Sequence, residues 1–266
     1  MRIRAYYLYA LLAVVFTAAS DAATTNCPSD FYRGTAPDLV NQKLAVKARE
    51  LCFSEFAVMH SGLTRTPLYS ADHLTAQRVE LARRQRREDA ANTFHEEERL
   101  PPAERSTLRD FSRSGYDRGH TSPNGDFDNP LAQGESFSLA NMVPQNPNNN
   151  RNLWEGVEEA TRSIAERYGE AWVVTVPVFS GAQTLWLHDR VAIPSRMAKA
   201  VYVPATHQAA VYLTSNVPGR AWQSISVAQL RDLTGIDVFP ALPESVKRDA
   251  AALPSPTVHG HHSNGY

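Results

Sequence analysis

Apolar and polar residues alternate along this chain with two different periods, and the places where one gives way to the other predict its elements. In 37–52, LVNQKLAVKARELC spaces its apolar residues near the helical repeat and predicts a short helix on the core. FAVMHSGLTRTPLYSADHL then alternates and is broken by Gly62 and Pro67, which predicts a strand, a turn and a second strand. PPAERSTLRDFS opens with prolines and carries a helical pattern, predicting a short helix that leads into the Ser114-Gly115 turn. AWVVTVPVFS reads as a buried strand. Residues 190–194, 198–203 and 209–214 predict three more strands, and 227–233 a helix. Strands on both sides of a central helix, with helices elsewhere, predict an α+β domain around a largely antiparallel sheet. With no internal repeat and no long linker, one domain over 23–252 is expected.

The ends of the chain depart from this pattern. Arg2 and Arg4 precede an apolar run from Ala5 to Val15, and small residues follow to Ala22. That layout predicts a signal peptide over 1–22, export to the periplasm or the medium, and no membrane segment afterwards; an uncleaved anchor helix is the alternative. Residues 253–266, which include PSPTVHGHHSNGY, lack a core-forming pattern and are expected to be a disordered tail. Cys27 and Cys52 are the only two cysteines. In an oxidising compartment they are expected to form a disulfide, with two free buried thiols as the alternative.

Composition adds a restriction. The 266 residues carry a formal net charge of -1, so any nucleic-acid binding must rest on a local patch rather than on bulk charge. Residues 75–98 are dense in charge, with Arg78, Arg83, Arg84, Arg86 and Arg87 ahead of Glu96, Glu97 and Glu98. Most of these read as a solvated face or loop, leaving one or two arginines to face phosphate.

The chemistry concentrates between Ser114 and Arg162. His120 titrates near neutrality and can take a proton from water, and Arg118 offers a planar fork for phosphate oxygens. Gly119 lets the backbone pass close to a neighbour. Asp117 is expected to orient its surroundings. The amides Asn146, Asn148, Asn149, Asn150 and Asn152 precede a helix, and an amide oxygen with a water-rich shell suits a hard divalent cation. Glu158 and Arg162 lie four apart on one helical face, with Trp154 expected as a core anchor.

The run Asp117-Arg118-Gly119-His120, followed by SFSLANMVPQ and NPNNNRNLWEGVEE, resembles the DRGH motif and metal helix of the non-specific DNA/RNA endonucleases with a ββα-metal site. The resemblance extends roughly over 53–242, through VAIPSRMAKAVY and LRDLTGIDVFPAL. It implies a ββα-metal nuclease fold, with a largely antiparallel central sheet flanked by helices. It further implies a Mg2+-dependent endonuclease that hydrolyses phosphodiester bonds in DNA and RNA to 5'-phosphorylated products. His120 falls on the general base, Asn150 on the magnesium ligand, and Glu158 on the glutamate that holds water on the metal. Arg162 falls on a phosphate-binding arginine, and Arg118 on that of the motif. An upstream phosphate-binding arginine maps best to Arg87, with Arg86 nearly as good. Manganese is an alternative ion, and a homodimer and a protein inhibitor stay open as partners. Thr121 stands where the family has an apolar residue and Gly125 where alanine is common. The rival readings are an inactive nucleic-acid-binding protein and a phosphodiesterase for small nucleotides.

Overall fold

A computed structural model of the chain describes residues 24–85, 93–180 and 184–259. The signal-peptide segment and both Arg86 and Arg87 lie outside those residues. Seven strands form one antiparallel sheet in the order β1 (Ala48–Cys52), β2 (Phe56–Ser61), β3 (Thr66–Thr75), β6 (Glu170–Val178), β9 (Arg196–Val203), β10 (Gln208–Ser215) and β11 (Trp222–Ile225). Helices α1 (Ala76–Gln85), α2 (Leu108–Phe111), α3 (Pro130–Glu135), α4 (Glu155–Tyr168), α5 (Val227–Thr234) and α6 (Glu244–Arg248) surround it. Two small antiparallel pairs complete the fold: β4 (Asp117–His120) with β5 (Met142–Gln145), and β7 (Leu185–Leu187) with β8 (Val191–Ile193).

The period of two along the strands divides the core between the two sheet faces. Val174, Ala198, Ala200, Val211 and Leu213 pack against Val227 and Leu230 of α5 on one face. Val173, Val201 and Tyr212 point to the other face, where Trp154, Val157, Ile164 and Ala165 cover them. Trp154 is 0% exposed and anchors the start of α4, as expected. The same alternation turns Asp72, Thr175 and Lys199 toward α4, because their neighbours Ala71, Val174, Val176, Ala198 and Ala200 face away. Polar groups therefore line the sheet beneath the helix.

Two expectations are corrected. Residues 37–52 do not form a helix: Gln42–Ala45 make one 3-10 turn, Lys47 takes a positive φ of 56°, and Ala48–Cys52 pair with β2. The helical spacing there was coincidental, and edge pairing satisfies the backbone instead. The tail is ordered from 253 to 259. Leu253 packs against the α4 face of the core, and the Tyr212 hydroxyl donates to the Pro254 carbonyl at 2.8 Å. His259 Nε2 lies 3.0 Å from Glu159 on α4. A Cβ on Gly156 would stand 1.8 Å from the Thr257 carbonyl oxygen, so the strap needs glycine at that point of the helix. Its contacts are one leucine, two carbonyls and one histidine, a set that no apolar periodicity reports. Residues 260–266 lie outside the described set.

The Sγ atoms of Cys27 and Cys52 lie within bonding distance, with the Cα atoms 5.5 Å apart, where the N-terminal segment meets β1. Among the described residues no helix is long and apolar enough to cross a membrane.

Candidate active site

Strand β4 presents Arg118 and His120 on one pleat, separated by Gly119. The glycine is required because a Cβ there would lie 2.0 Å from Gln145 Oε1, on the partner strand β5. Gln145 in turn donates from Nε2 to Asn149 Oδ1 at 2.8 Å, linking β5 to the next element. That element is a π-helical turn over Asn149–Trp154, which runs directly into α4. Such wide turns recur at functional sites because they re-aim a side chain within a helix. Asn150 lies on this turn.

Asp117 carries out the orienting role expected of it. Its Oδ2 accepts from Asn150 Nδ2 at 3.1 Å, while Arg151 donates to the same carboxylate from Nε at 2.8 Å and Nη2 at 2.6 Å. With its Nδ2 fixed in this way, the Asn150 Oδ1 accepts no hydrogen bond among the described residues. The other four amides of the run are used structurally, Asn152 donating from Nδ2 to the Asn148 carbonyl at 2.9 Å. Asn146 Oδ1 accepts from the backbone of Asn148 at 3.0 Å and of Asn149 at 3.3 Å. Asn148 Oδ1 accepts from Gly219 at 3.2 Å, and Asn149 Oδ1 is taken by Gln145.

His120 is enclosed by aromatic rings. Phe137 meets it edge-on at 4.9 Å and Phe94 lies tilted at 5.9 Å. Its Nε2 is buried without a partner, and burial pulls its pKa from 6.5 down to about 4. The ring is therefore neutral at pH 7. Arg118 stacks its guanidinium 4.9 Å from the Phe94 centroid and 5.7 Å from that of Phe111. The departure at Thr121 has a structural reason: its hydroxyl donates to Asn141 Oδ1 at 2.6 Å, tying the end of β4 to the turn before β5.

One turn along α4, burial pushes the Glu158 carboxyl up to about 7, against the opposite pull of Lys199 and Arg162. Arg162 is 7% exposed and turned inward, its Nη1 donating to Asp126 Oδ1 at 2.9 Å. The sequence placed it on phosphate; the structure gives it a buried carboxylate partner. Lys199, fully buried, donates to Thr175 Oγ1 at 2.7 Å and lies 5.6 Å from the Trp154 ring. Asp72 accepts from Ser122 Oγ at 2.9 Å, and burial together with Asp126 raises its carboxyl to about 7. Asp72, Asp126, Lys199 and the phenylalanines escaped the sequence reading. A lone lysine inside the apolar run MAKAVY was the one available signal.

The donors present fit a hard divalent cation. The Asn150 Oδ1 is a hard oxygen donor without a hydrogen-bond partner among the described residues, the Glu158 carboxylate is likewise free to accept from water, and no soft sulfur donor accompanies them. Cys27 and Cys52 sit away from this set, at the β1 edge of the sheet.

Similarity to known proteins agrees with this geometry. The mitochondrial nuclease EXOG of Danio rerio is 30% identical over 214 residues, covering 72% of this chain and 61% of that protein. Nuclease C1 of Cunninghamella echinulata var. echinulata is 27% identical over 216 residues, covering 74% of this chain and 85% of the other. Among solved structures, one of the EndoG/EndoGI complex superposes with a TM-score of 0.62 at 22% identity, over 77% of this chain and 94% of that one, a likeness of fold. The sequence model of the DNA/RNA non-specific endonucleases matches residues 37–245, and the chain belongs to that family.

Proposed function

We propose that the chain is a magnesium-dependent endonuclease that hydrolyses phosphodiester bonds in both DNA and RNA, leaving 5'-phosphorylated products. The observation that carries this reading is the placement of neutral His120 and cationic Arg118 on one pleat of β4, with Asp117 of the same strand holding Asn150. Family membership implies a divalent cation. Asn150 would hold it, with Glu158 accepting a hydrogen bond from water beside it. When bound, the ion supplies Lewis-acid neutralisation of charge on the phosphate and the leaving 3'-oxygen.

His120 accepts the proton of the attacking water, which its depressed pKa allows across the neutral range. Arg118, positioned by two aromatic faces, neutralises non-bridging phosphate oxygens. Arg162 positions Asp126 beneath Glu158 and reaches phosphate only through nitrogens that Asp126 leaves free. Arg87, or Arg86 beside it, supplies the upstream phosphate contact. Contacts to phosphate carry no base code, so cleavage is unspecific in sequence.

The exported state belongs to the same reading: a signal peptide over 1–22, a catalytic domain over 23–252, and a disulfide at Cys27–Cys52 that an oxidising compartment maintains. The zebrafish relative is named as mitochondrial, a different address. A homodimer and a protein inhibitor are the partners this reading admits, the inhibitor by likeness to EndoG, which was solved in an inhibited complex with EndoGI.

The test is a gel assay of the purified chain on supercoiled plasmid and on RNA, with magnesium and with chelator. Both substrates should be degraded with magnesium, and neither with chelator or with His120→Ala. A chain that binds plasmid but cuts nothing would be the inactive binding protein instead. Cleavage of a small diester as fast as of plasmid would favour the phosphodiesterase reading.

A further inference from the structure

Helix α2 and the β7–β8 hairpin enclose an open cleft of about 660 Å³, whose lining includes Thr107, Arg109, Asp110, Arg113, His188 and Arg190. Its charge is one-sided. Asp110 is the only carboxylate in the lining, and it already accepts from the Thr107 backbone at 2.8 Å, the Thr107 hydroxyl at 3.0 Å and Arg190 Nε at 2.8 Å. Arg109 and Arg113 are exposed and make no ion pair or side-chain hydrogen bond among the described residues. On either side of the cleft, Arg113 and His188 hold left-handed backbone, φ 55° and 49°. In a chain of net charge -1, this concentration of uncompensated guanidinium is a local feature.

The cleft also adjoins the candidate active site. Phe111, which lies between Arg109 and Arg113 in the chain, has its ring centroid 5.7 Å from the Arg118 guanidinium carbon. Phe111, Met142 of β5, Leu187 and Val191 share one apolar cluster, so both walls of the cleft are built on the strand that pairs with the catalytic one. Trp186, on the same hairpin, is 44% exposed and offers a flat face of the kind on which bases stack.

We propose that this cleft is a second phosphate-binding site, taking the sugar–phosphate backbone of the substrate strand a few nucleotides from the bond that is cut. The position of that bond rests on the nuclease reading above. Arg109 and Arg113 grip phosphate oxygens through their forks, and Arg190 is held ready by Asp110. Strands long enough to span from Arg118 to Arg109 gain these contacts, and shorter ones do not.

The test compares single strands of about 4 and about 20 nucleotides, lengths that bracket common site sizes, using the full chain with magnesium and the double variant Arg109→Gln/Arg113→Gln. In the double variant the ratio of kcat/KM for the long strand to that for the short one should fall by roughly threefold or more, and the salt dependence of long-strand Kd, read in a His120→Ala background, should lose about 0.7 in log–log slope per arginine. Arg109→Gln alone, on an exposed helical position, should lose half as much slope, and Arg113→Lys should recover part of the ratio. An unchanged ratio and slope, with cleavage intact, would overturn the cleft and leave the nuclease reading standing. Absence of magnesium-dependent cleavage of any strand by the unmodified chain would overturn both.

Discussion

His120 and Glu158 are shifted in opposite directions, and their titrations can be told apart. Burial keeps His120 unprotonated down to about pH 4, whereas it keeps Glu158 protonated up to about 7. A cation favours the ionised glutamate, so at limiting magnesium kcat/KM should rise with pH up to about 7. Saturating magnesium should move that limb toward acid. A limb fixed near 6.5 whatever the magnesium would assign it to an ordinary exposed histidine. The folding consequence has a definite sign. Between about 4.5 and 7 the folded chain binds more protons at Glu158 than the unfolded chain does, so this group's contribution falls as pH rises. Glu158→Gln should therefore raise Tm by roughly 2–6 °C at pH 8 in chelator while abolishing cleavage, as differential scanning fluorimetry and the plasmid assay would read. At Arg162 the expectation is reversed. Arg162→Ala strands the buried Asp126 and should cost roughly 3–5 kcal/mol in a urea melt. Apart from Arg87, the candidate site residues could be named from the sequence because they lie in one stretch: the motif is contiguous, and Asn150, Trp154, Glu158 and Arg162 follow at four-residue steps. Their supports could not. Phe94 and Lys199 lie outside that stretch, and Phe137 and Asp126 within it carry no motif, so only the fold brings Phe94 onto Phe137 and Lys199 beneath Trp154.

At the scale of elements, the strands were readable wherever β-branched and alternating runs coincided, as in β6 and β10, and unreadable where a mixed edge strand imitated a helix, as in β1. The C-terminal strap was missed for a related reason: it docks through a single leucine, two carbonyls and one histidine, which leave no hydrophobic period. Gly156→Ala tests that docking. The added methyl meets the Thr257 carbonyl, so the strap must move or the helix must shift, at about 1–3 kcal/mol. Limited proteolysis should then cut within 253–259 in the variant and spare it in the parent. Equal protection in both would show that the helix yields instead.

For the molecule as a whole, the Cys27–Cys52 link closes a loop of 25 residues between the N-terminal segment and the sheet edge. Loop-closure entropy gives it about 3 kcal/mol, so Cys27→Ser/Cys52→Ser should lower Tm by roughly 6–12 °C and leave plasmid cleavage at low temperature in place. Whole-molecule charge gave little guidance, because a net charge of -1 hides the cationic cleft beside α2 that only the fold assembles. The strap carries a further meaning when the order of synthesis is considered. A ribosome releases the motif strand and the helix at Glu155–Tyr168 about ninety residues before Thr257 and His259, which complete the cover of that helix. The nascent chain thus carries that helix without its cover while strands β6, β9, β10 and β11 and helices α5 and α6 are still being added.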